Sequence, residues 1–426
     1  MYAIIVVGIY KWSSKNMTAK EQNSRKDPLK KVQKDSKEPV ENSSKKVAIL
    51  FCVLGVLGII GGISALVFGL LPAKKDGVSI NFPKIPTEKT TNIYSNLTGL
   101  PLAEASQVTA PAYCIQTPNG MDGARPQAGL NEAGVVFEAI AESGITRFAA
   151  IYQNPTSSII GPIRSLRLYY LQWDTPFDCT IVHAGGAPDA LQAVSHGYKD
   201  LTENYTYMYR GTYGTRRWNN LFTTSSLLAT MNTDRSYGGS DIKGFARMTP
   251  EESLKSRVDS LAEEKLIIYE QSKGKTSVMA GKTLTIGIDF GRLPNFNVRY
   301  NYNVDNNTYA RSYASGFSHD VYACPDGDLG QKNPEDNCTL KQLEPSVVVA
   351  MVVPEKRASD NYHEDITTIG TGDAYVFQNG IAIKGSWKKA SVADQIEFFD
   401  EAGSKISLAP GQTFVEAVPQ YGSVEY

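Results

Sequence analysis

Histidine is scarce: the 426 residues hold four, at positions 183, 196, 319 and 363. So scattered, they argue against a histidine-rich metal centre, whose ligands recur at short spacings. Other catalytic signatures are missing too. There is no G-x-S-x-G elbow and no H-E-x-x-H, and the A-G-K-T at 280–283 has Thr276 where a phosphate-binding loop needs its first glycine. Cysteine is sparse, with five residues, too few for a disulfide-dense scaffold. A surplus of positive charge is lacking as well, since the formal net charge is -1. Residues 1–46 hold 11 Lys/Arg against 5 Asp/Glu, a net of +6, which leaves the rest of the chain at -7. An acidic body has no surface for phosphate backbones, so nucleic acid is excluded as a partner.

One long apolar run is present. Residues 47–71, VAILFCVLGVLGIIGGISALVFGLL, contain no charge over 25 residues. At ~1.5 Å per residue, such a helix crosses a ~30 Å hydrocarbon core with some tilt. Lys45, Lys46 and the basic tail before them place the N-terminus inside, and everything after Leu71 outside. The run exceeds a signal-peptide core and no A-x-A site follows it, so we expect a single-pass anchor in the cytoplasmic membrane.

The rest divides by composition. Residues 1–46 form a disordered cytoplasmic tail rich in Lys, Ser and Glu, and 72–92 form a linker interrupted by Pro72, Pro83 and Pro86. Residues 93–237 are expected to make an α/β domain. Residues 238–270 are a linker with a helical segment near 250–264, and 271–426 make a mainly β domain with a compact antiparallel sheet or partial barrel. In the first domain, VVFEAIAE and ITRFAAIYQ flank a Ser143-Gly144 turn and read as a hairpin. Simple alternation puts Phe137, Ala139 and Ala141 with Phe148 and Ala150 on one face, and Glu138, Glu142 and Arg147 on the other. A helix is expected over 163–173, then a strand at CTIVHAG, then a helix opened by Pro188.

The candidate chemistry clusters in this domain. Arg164 and Arg167 of GPIRSLR, one helical turn apart, could clamp a carboxylate or phosphate, and Arg125 and Arg147 could join them. Glu138 and Glu142 could equally neutralise them in an internal ion-pair network. HAGGAPDA puts His183 at a strand end before Gly185 and Gly186, where ligands of α/β sheets tend to bind; a tight turn around a satisfied histidine is the competing interpretation. The stretch YTYMYRGTYGTRRWNN adds Arg217 among aromatics that could stack on a sugar or cover a cleft. Cys324 and Cys338 flank a polar hairpin that a disulfide would staple outside the cell, while Cys114 and Cys179 fit either buried thiols or a second pair. Asp326, Asp328 and Glu335 do not follow calcium-loop spacing, so no metal and no cofactor are expected.

At LTGLP (97–101), RPQAGLNEAGVVFEA (125–139), ESGITRFAAIYQ (142–153), GPIRSLR and HAGGAP, the chain resembles the YerB-like bacterial lipoproteins, a family of unknown function. Weaker matches continue through RRWNNLFTT, TYARSY, GDAYVFQNG and GSWKK. The resemblance implies an α/β N-terminal and a β-rich C-terminal domain outside the cytoplasmic membrane. The chain departs from the pattern in having an apolar anchor instead of a lipoprotein cysteine, and Trp218 where a histidine is expected before Asn219.

The expected function is that of a membrane-anchored envelope protein whose arginines hold an anionic envelope polymer or protein partner, in connection with cell-wall assembly. One alternative is an envelope hydrolase or transferase using Glu138 or Glu142 with His183 as acid and base. Another is a scaffold without a ligand.

Overall fold

The structure, a computed structural model, describes residues 93–211, 220–257, 259, 285–327 and 330–426. The anticipated tail, membrane span and linker (1–92) lie outside the described residues, as does Arg217. Among the described residues, no helix is long and apolar enough to cross a membrane.

The first half contains β1 (Ala112–Pro118), β2 (Val135–Glu142), β3 (Ile145–Gln153), β4 (Ile160–Ile163), helix α1 (Leu168–Asp174), β5 (Thr180–Val182), helix α2 (Pro188–Val194), β6 (Asp200–Leu201), β7 (Tyr209–Arg210), β8 (Leu221–Thr223) and helix α3 (Ser225–Asp234). Residues 250–257 are helical. The second half holds β9 (Thr285–Asp289), β10 (Val298–Asn303), β11 (Thr308–Tyr313), β12 (Asp320–Ala323), β13 (Thr339–Gln342), β14 (Val347–Val353) and β15 (Glu355–Arg357). It ends with β16 (Glu364–Ile366), β17 (Gly370–Gln378), β18 (Ile381–Lys389), β19 (Glu397–Asp400), β20 (Thr413–Pro419) and β21 (Ser423–Glu425).

Strands from both halves join one ten-stranded sheet, in the order β19-β18-β17-β14-β20-β2-β3-β1-β5-β6. The seam is β2 against β20, which run parallel. β20 also runs parallel to β14, so the second half is not the self-contained antiparallel sheet expected from alternation. Parallel central strands are buried on both faces and read as continuous apolar runs, and VVVAMVV of β14 is one. Its Val347, Val349, Met351 and Val353 pack on one face with α1, α2 and Trp173, while Val348 and Ala350 pack on the other. That other face carries a four-stranded sheet, β11-β10-β9-β21, and the small β4-β8-β7 sheet.

The α/β expectation for the first half survives only in part. β5, α2 and β6 form a parallel crossover, with Pro188 at the first helical position. The protein as a whole is mostly β with few helices. The helix expected over 163–173 begins only at Leu168, because the preceding residues are committed elsewhere. Ile160–Ile163 pair with β8, and Leu166 bridges to Gly186. Gly161 has φ +147, and a β-carbon there would meet Phe222 at 2.7 Å, so only glycine fits beside that strand.

Candidate functional site

The β2–β3 turn decides where the candidate carboxylates go. Ser143 and Gly144 take φ of 52 and 84, the two left-handed residues of a tight hairpin turn. Glu142 faces Ile145 across it, but the next pair is Ile140 with Thr146, so Ala141 is an extra residue. A one-residue bulge reverses the side on which every earlier residue lies relative to its partner strand. Phe137 therefore pairs with Ala149 instead of sharing a face with Phe148, and Glu138 pairs with Phe148. Glu138 and Glu142, expected together, end on opposite sides of the sheet.

Glu142 turns toward α1. Its two oxygens hold Arg147 at 2.8 Å and Arg167 at 2.6 Å. Arg147 also donates to the Ser165 carbonyl at 2.6 Å, and Arg167 to the Leu166 carbonyl at 3.0 Å. Burial works to raise the Glu142 carboxyl, but the two guanidiniums outweigh it and hold it below its usual range. Burial, and then the like charge of Arg167, lower the Arg147 guanidinium. One carboxylate thus serves two cations, and Nε of both arginines is buried without a hydrogen-bond partner.

Arg167 also lines a cleft of about 730 Å³. One wall comes from α1 and the start of α2, with Leu168, Gln172, Pro188 and Asp189. The other is the β15–β16 hairpin, tied to the bulged strand by a bridge between Glu142 and His363. Lys356 pairs with Asp365 at 3.3 Å, and Asp360 holds His363 at 2.6 Å. Amide hydrogen bonds from His363 and Tyr362, and the His363 ring, keep Asp360 well below the usual carboxylate range. Glu364 is fully buried beside Arg357 (3.5 Å) and Arg292 (3.6 Å), and burial outweighs both to raise its pKa.

Glu138 lies on the far side, in a sealed network. It accepts from Thr146 at 2.5 Å and Asn119 at 3.0 Å and is ion-paired with Arg311. Arg311 donates to Tyr300 at 2.9 Å and to Nδ1 of His319, whose Nε2 donates to Gln127 at 3.0 Å. Burial and the charges of Arg311 and Arg125 push His319 well below its usual pKa, so it is a neutral imidazole with one tautomer. Glu416, directly opposite Glu138 on β20, accepts from Tyr300. Arg125 joins this network, not the Arg167 group: it donates to Asn119 and its guanidinium lies 3.8 Å above the Tyr313 ring.

His183 has both ring nitrogens engaged, with the Gly185 carbonyl at 2.7 Å and Asp200 at 2.9 Å. The glycines serve the turn. Gly185 has φ +67, and a β-carbon on Gly186 would meet Leu191 at 2.9 Å. Arg164 and Arg167 are not one helical turn apart: Arg164 binds Gln116 and Ala184 through its backbone, and Arg167 is the extended N-cap of α1. An anion clamp from Arg125, Arg147, Arg164 and Arg167 together therefore does not form. Nor does the acid–base scheme, since Glu138 and Glu142 are both paired with arginine and His183 is held elsewhere.

Disulfides join Cys324 to Cys338 and Cys114 to Cys179. Among the described residues, no His/Cys/Asp/Glu group is arranged to hold a metal ion. Sequence reasoning missed Arg311 and the cleft's second wall. Lys356, Arg357 and Glu364 sit in a hairpin of three-residue strands with no turn motif to mark them, and TYARSY shows Arg311 only as an alternating position on a strand.

Comparison with known proteins agrees with this architecture. A solved structure, the crystal structure of YerB protein from Bacillus subtilis, superposes with a TM-score of 0.59, covering 78% of this chain and 100% of that one at 21% identity. A curated relative, "Putative lipoprotein YerB" of Bacillus subtilis (strain 168), is 26% identical over 324 residues, 76% of this chain and 85% of the relative. Residues 97–238 match the model "Protein of unknown function (DUF3048) N-terminal domain" and 288–415 match its C-terminal domain. With both domains in order, the chain belongs to the DUF3048 family of YerB-like proteins.

Proposed function

We propose that this is a membrane-associated, extracytoplasmic envelope protein, anchored through residues 47–71, that binds an envelope polymer or protein partner at the cleft beside Arg167. The observation that carries the binding role is the charge count behind that wall. Arg147 and Arg167 share the single carboxylate of Glu142, so the helical wall of a cleft of about 730 Å³ has, at Arg167, a local positive field set among the cleft's other charges. Such a field attracts an anionic group, and the enclosure strengthens it relative to open water. A cleft of this size lies within the ~300–1,000 Å³ range of small-ligand sites.

The location rests on independent supports. The 25-residue charge-free run follows a basic tail, two disulfides favour an oxidising compartment, and the curated relative is named as a lipoprotein. Cell-wall assembly is the process such a protein would serve. The test uses the full chain in detergent and isolated envelope polymer. Lys356→Glu, exposed at the cleft rim, is expected to cut retention on the polymer at least tenfold with unchanged thermal melting. Equal retention of variant and parent would leave the scaffold role in place of binding. Protease added to intact cells should digest the C-terminal body; full protection would overturn the topology.

A further inference from the structure

We infer that the ligand group received by the cleft is zwitterionic: the end of a short peptide carrying both a free carboxylate and a free ammonium. This inference rests on the binding role proposed above and narrows it to a chemical class.

The cleft carries both signs of charge on facing walls. Cations come from Arg167 on the helical wall and from Lys356 and Arg357 on the hairpin. Carboxylates come from Asp189 on the helical wall and from Asp360, Glu364 and Asp365 on the hairpin. A polyanion threading the cleft meets four carboxylates, and a polycation meets three cations. Like-charge juxtaposition of that kind is how binding sites reject partners. A ligand bearing one group of each sign, a few bonds apart, meets a partner at each end.

The charges are also incompletely spent within the protein. Arg167 is buried, shares its carboxylate with Arg147, and keeps Nε without a hydrogen-bond partner. Glu364 accepts from the Ser143 amide and stands 3.5 and 3.6 Å from Arg357 and Arg292, with no hydrogen bond to either guanidinium among the described residues. Asp189 uses one oxygen on the Ala190 amide and forms no ion pair among the described residues. Between these groups the lining is mixed, with Leu168, Ala187, Pro188 and Ile366 beside the polar Gln172 and Ser359. The apolar positions suit the small side chains of a peptide, and Gln172 and Ser359 supply hydrogen-bonding groups for its amides.

The probe is the tripeptide Ala-Ala-Ala, titrated calorimetrically into the full chain in detergent. It has no lysine to keep an ammonium when acetylated, so its N-acetylated and C-amidated forms each lack one of the two charges. The free tripeptide is expected to bind, and each blocked form to bind at least tenfold more weakly. Asp189→Asn should weaken the free peptide about tenfold while leaving the acetylated one unchanged. Arg167→Lys, which keeps a cation for Glu142 but loses the planar fork, should do the same for the free peptide relative to the amidated one. Because Arg167 is buried, its variant counts only if its melting temperature is retained; exposed Asp189 supplies the result otherwise. Ala-Lys-Ala coupled to agarose through its lysine, which removes the side-chain charge, tells the two sources apart: capture of the protein indicates a peptide displayed on a polymer, and binding in solution alone indicates a free peptide. Equal binding of free and blocked forms overturns the inference. So does binding of polyglutamate, but no peptide, in a manner abolished by Lys356→Glu, which leaves the cleft's binding role intact. Binding of neither probe removes both.

Discussion

Replacing Arg311 by methionine should be among the most damaging single changes to the described fold. Its side chain is fully buried and lies between two carboxylates on adjacent parallel strands, Glu138 of β2 and Glu416 of β20. It is ion-paired with Glu138, stands 3.7 Å from Glu416, and donates to Tyr300 and His319. Methionine fills much of the volume but leaves Glu138 buried without this counter-ion. Breaking a buried pair from one side costs about 3–5 kcal/mol, because the remaining charge stays desolvated. That is a large share of the ~5–15 kcal/mol that separates folded from unfolded chains. With a urea slope of about 3 kcal/mol per molar, the unfolding midpoint should fall by more than about 1 M. The control is a double-mutant cycle with Glu138→Gln, which removes the orphaned charge. The double variant should recover at least about 1 kcal/mol relative to the sum of the single losses. A loss below about 1 kcal/mol for Arg311→Met, or strict additivity in the cycle, would refute the claim that this pair fastens the seam.

Glu416 makes stability depend on pH. Burial, and then the charge of Glu138, hold its carboxyl well above the usual range despite Arg311. The folded chain therefore binds that proton more tightly than the unfolded chain, whose glutamate titrates near ~4.3. Its contribution is full below that value and is lost as pH rises toward the folded pKa. Glu416→Gln should flatten this decline, gaining on the parent across the rising limb; parallel urea midpoints for the two proteins would count against it. The disulfides should rank by loop length. Cys114–Cys179 closes a separation of 65 residues and Cys324–Cys338 one of 14. Chain-entropy reasoning gives about 4 and about 3 kcal/mol respectively. Paired serine substitutions compared by thermal melting check the order, and a larger loss at 324/338 would reverse it.

Where local pattern and long-range pairing agree, the fold is legible in the sequence. VVFEAIAE, ITRFAAIYQ, VVVAMVV and TFVEAVP are all strands, and the Ser143-Gly144 turn sits where its residues demand φ > 0. What the pattern cannot carry is partnership. Nothing in TFVEAVP announces that β20 will lie parallel to β2, nearly 280 residues earlier, and so fuse two compositionally distinct halves into one sheet. GPIRSLR fails for a related reason. Its Ile163 and Leu166 have helical spacing, but contacts with β8 and Gly186 claim them for extended structure before the helix begins at Leu168. Tertiary pairing overrode a local preference worth only tenths of a kcal/mol per residue.

The candidate site turned on a smaller event. Strict alternation along VVFEAIAE requires Glu138 and Glu142 to share a face, and every grouping built on that inherits the requirement. A single unpaired residue, Ala141, breaks it. With the bulge, Glu142 meets Arg147 and Arg167 on the helix side, where a cleft is open, while Glu138 meets Arg311 on the side closed by the second sheet. The same strand thereby does two jobs with two identical side chains. One glutamate is sealed, and with Arg311 it ties together the two halves of the chain. The other is left at a cleft edge, too few in charge for the two arginines it holds. Bulges concentrate where a strand must re-aim a side chain. Were Ala141 paired in the ladder like its neighbours, Glu138 and Glu142 would share one face, and either Arg311 or the Arg147 and Arg167 pair would lose its carboxylate. The arrangement that makes Arg167 a candidate ligand contact is therefore set by an alanine, a residue with no chemistry of its own.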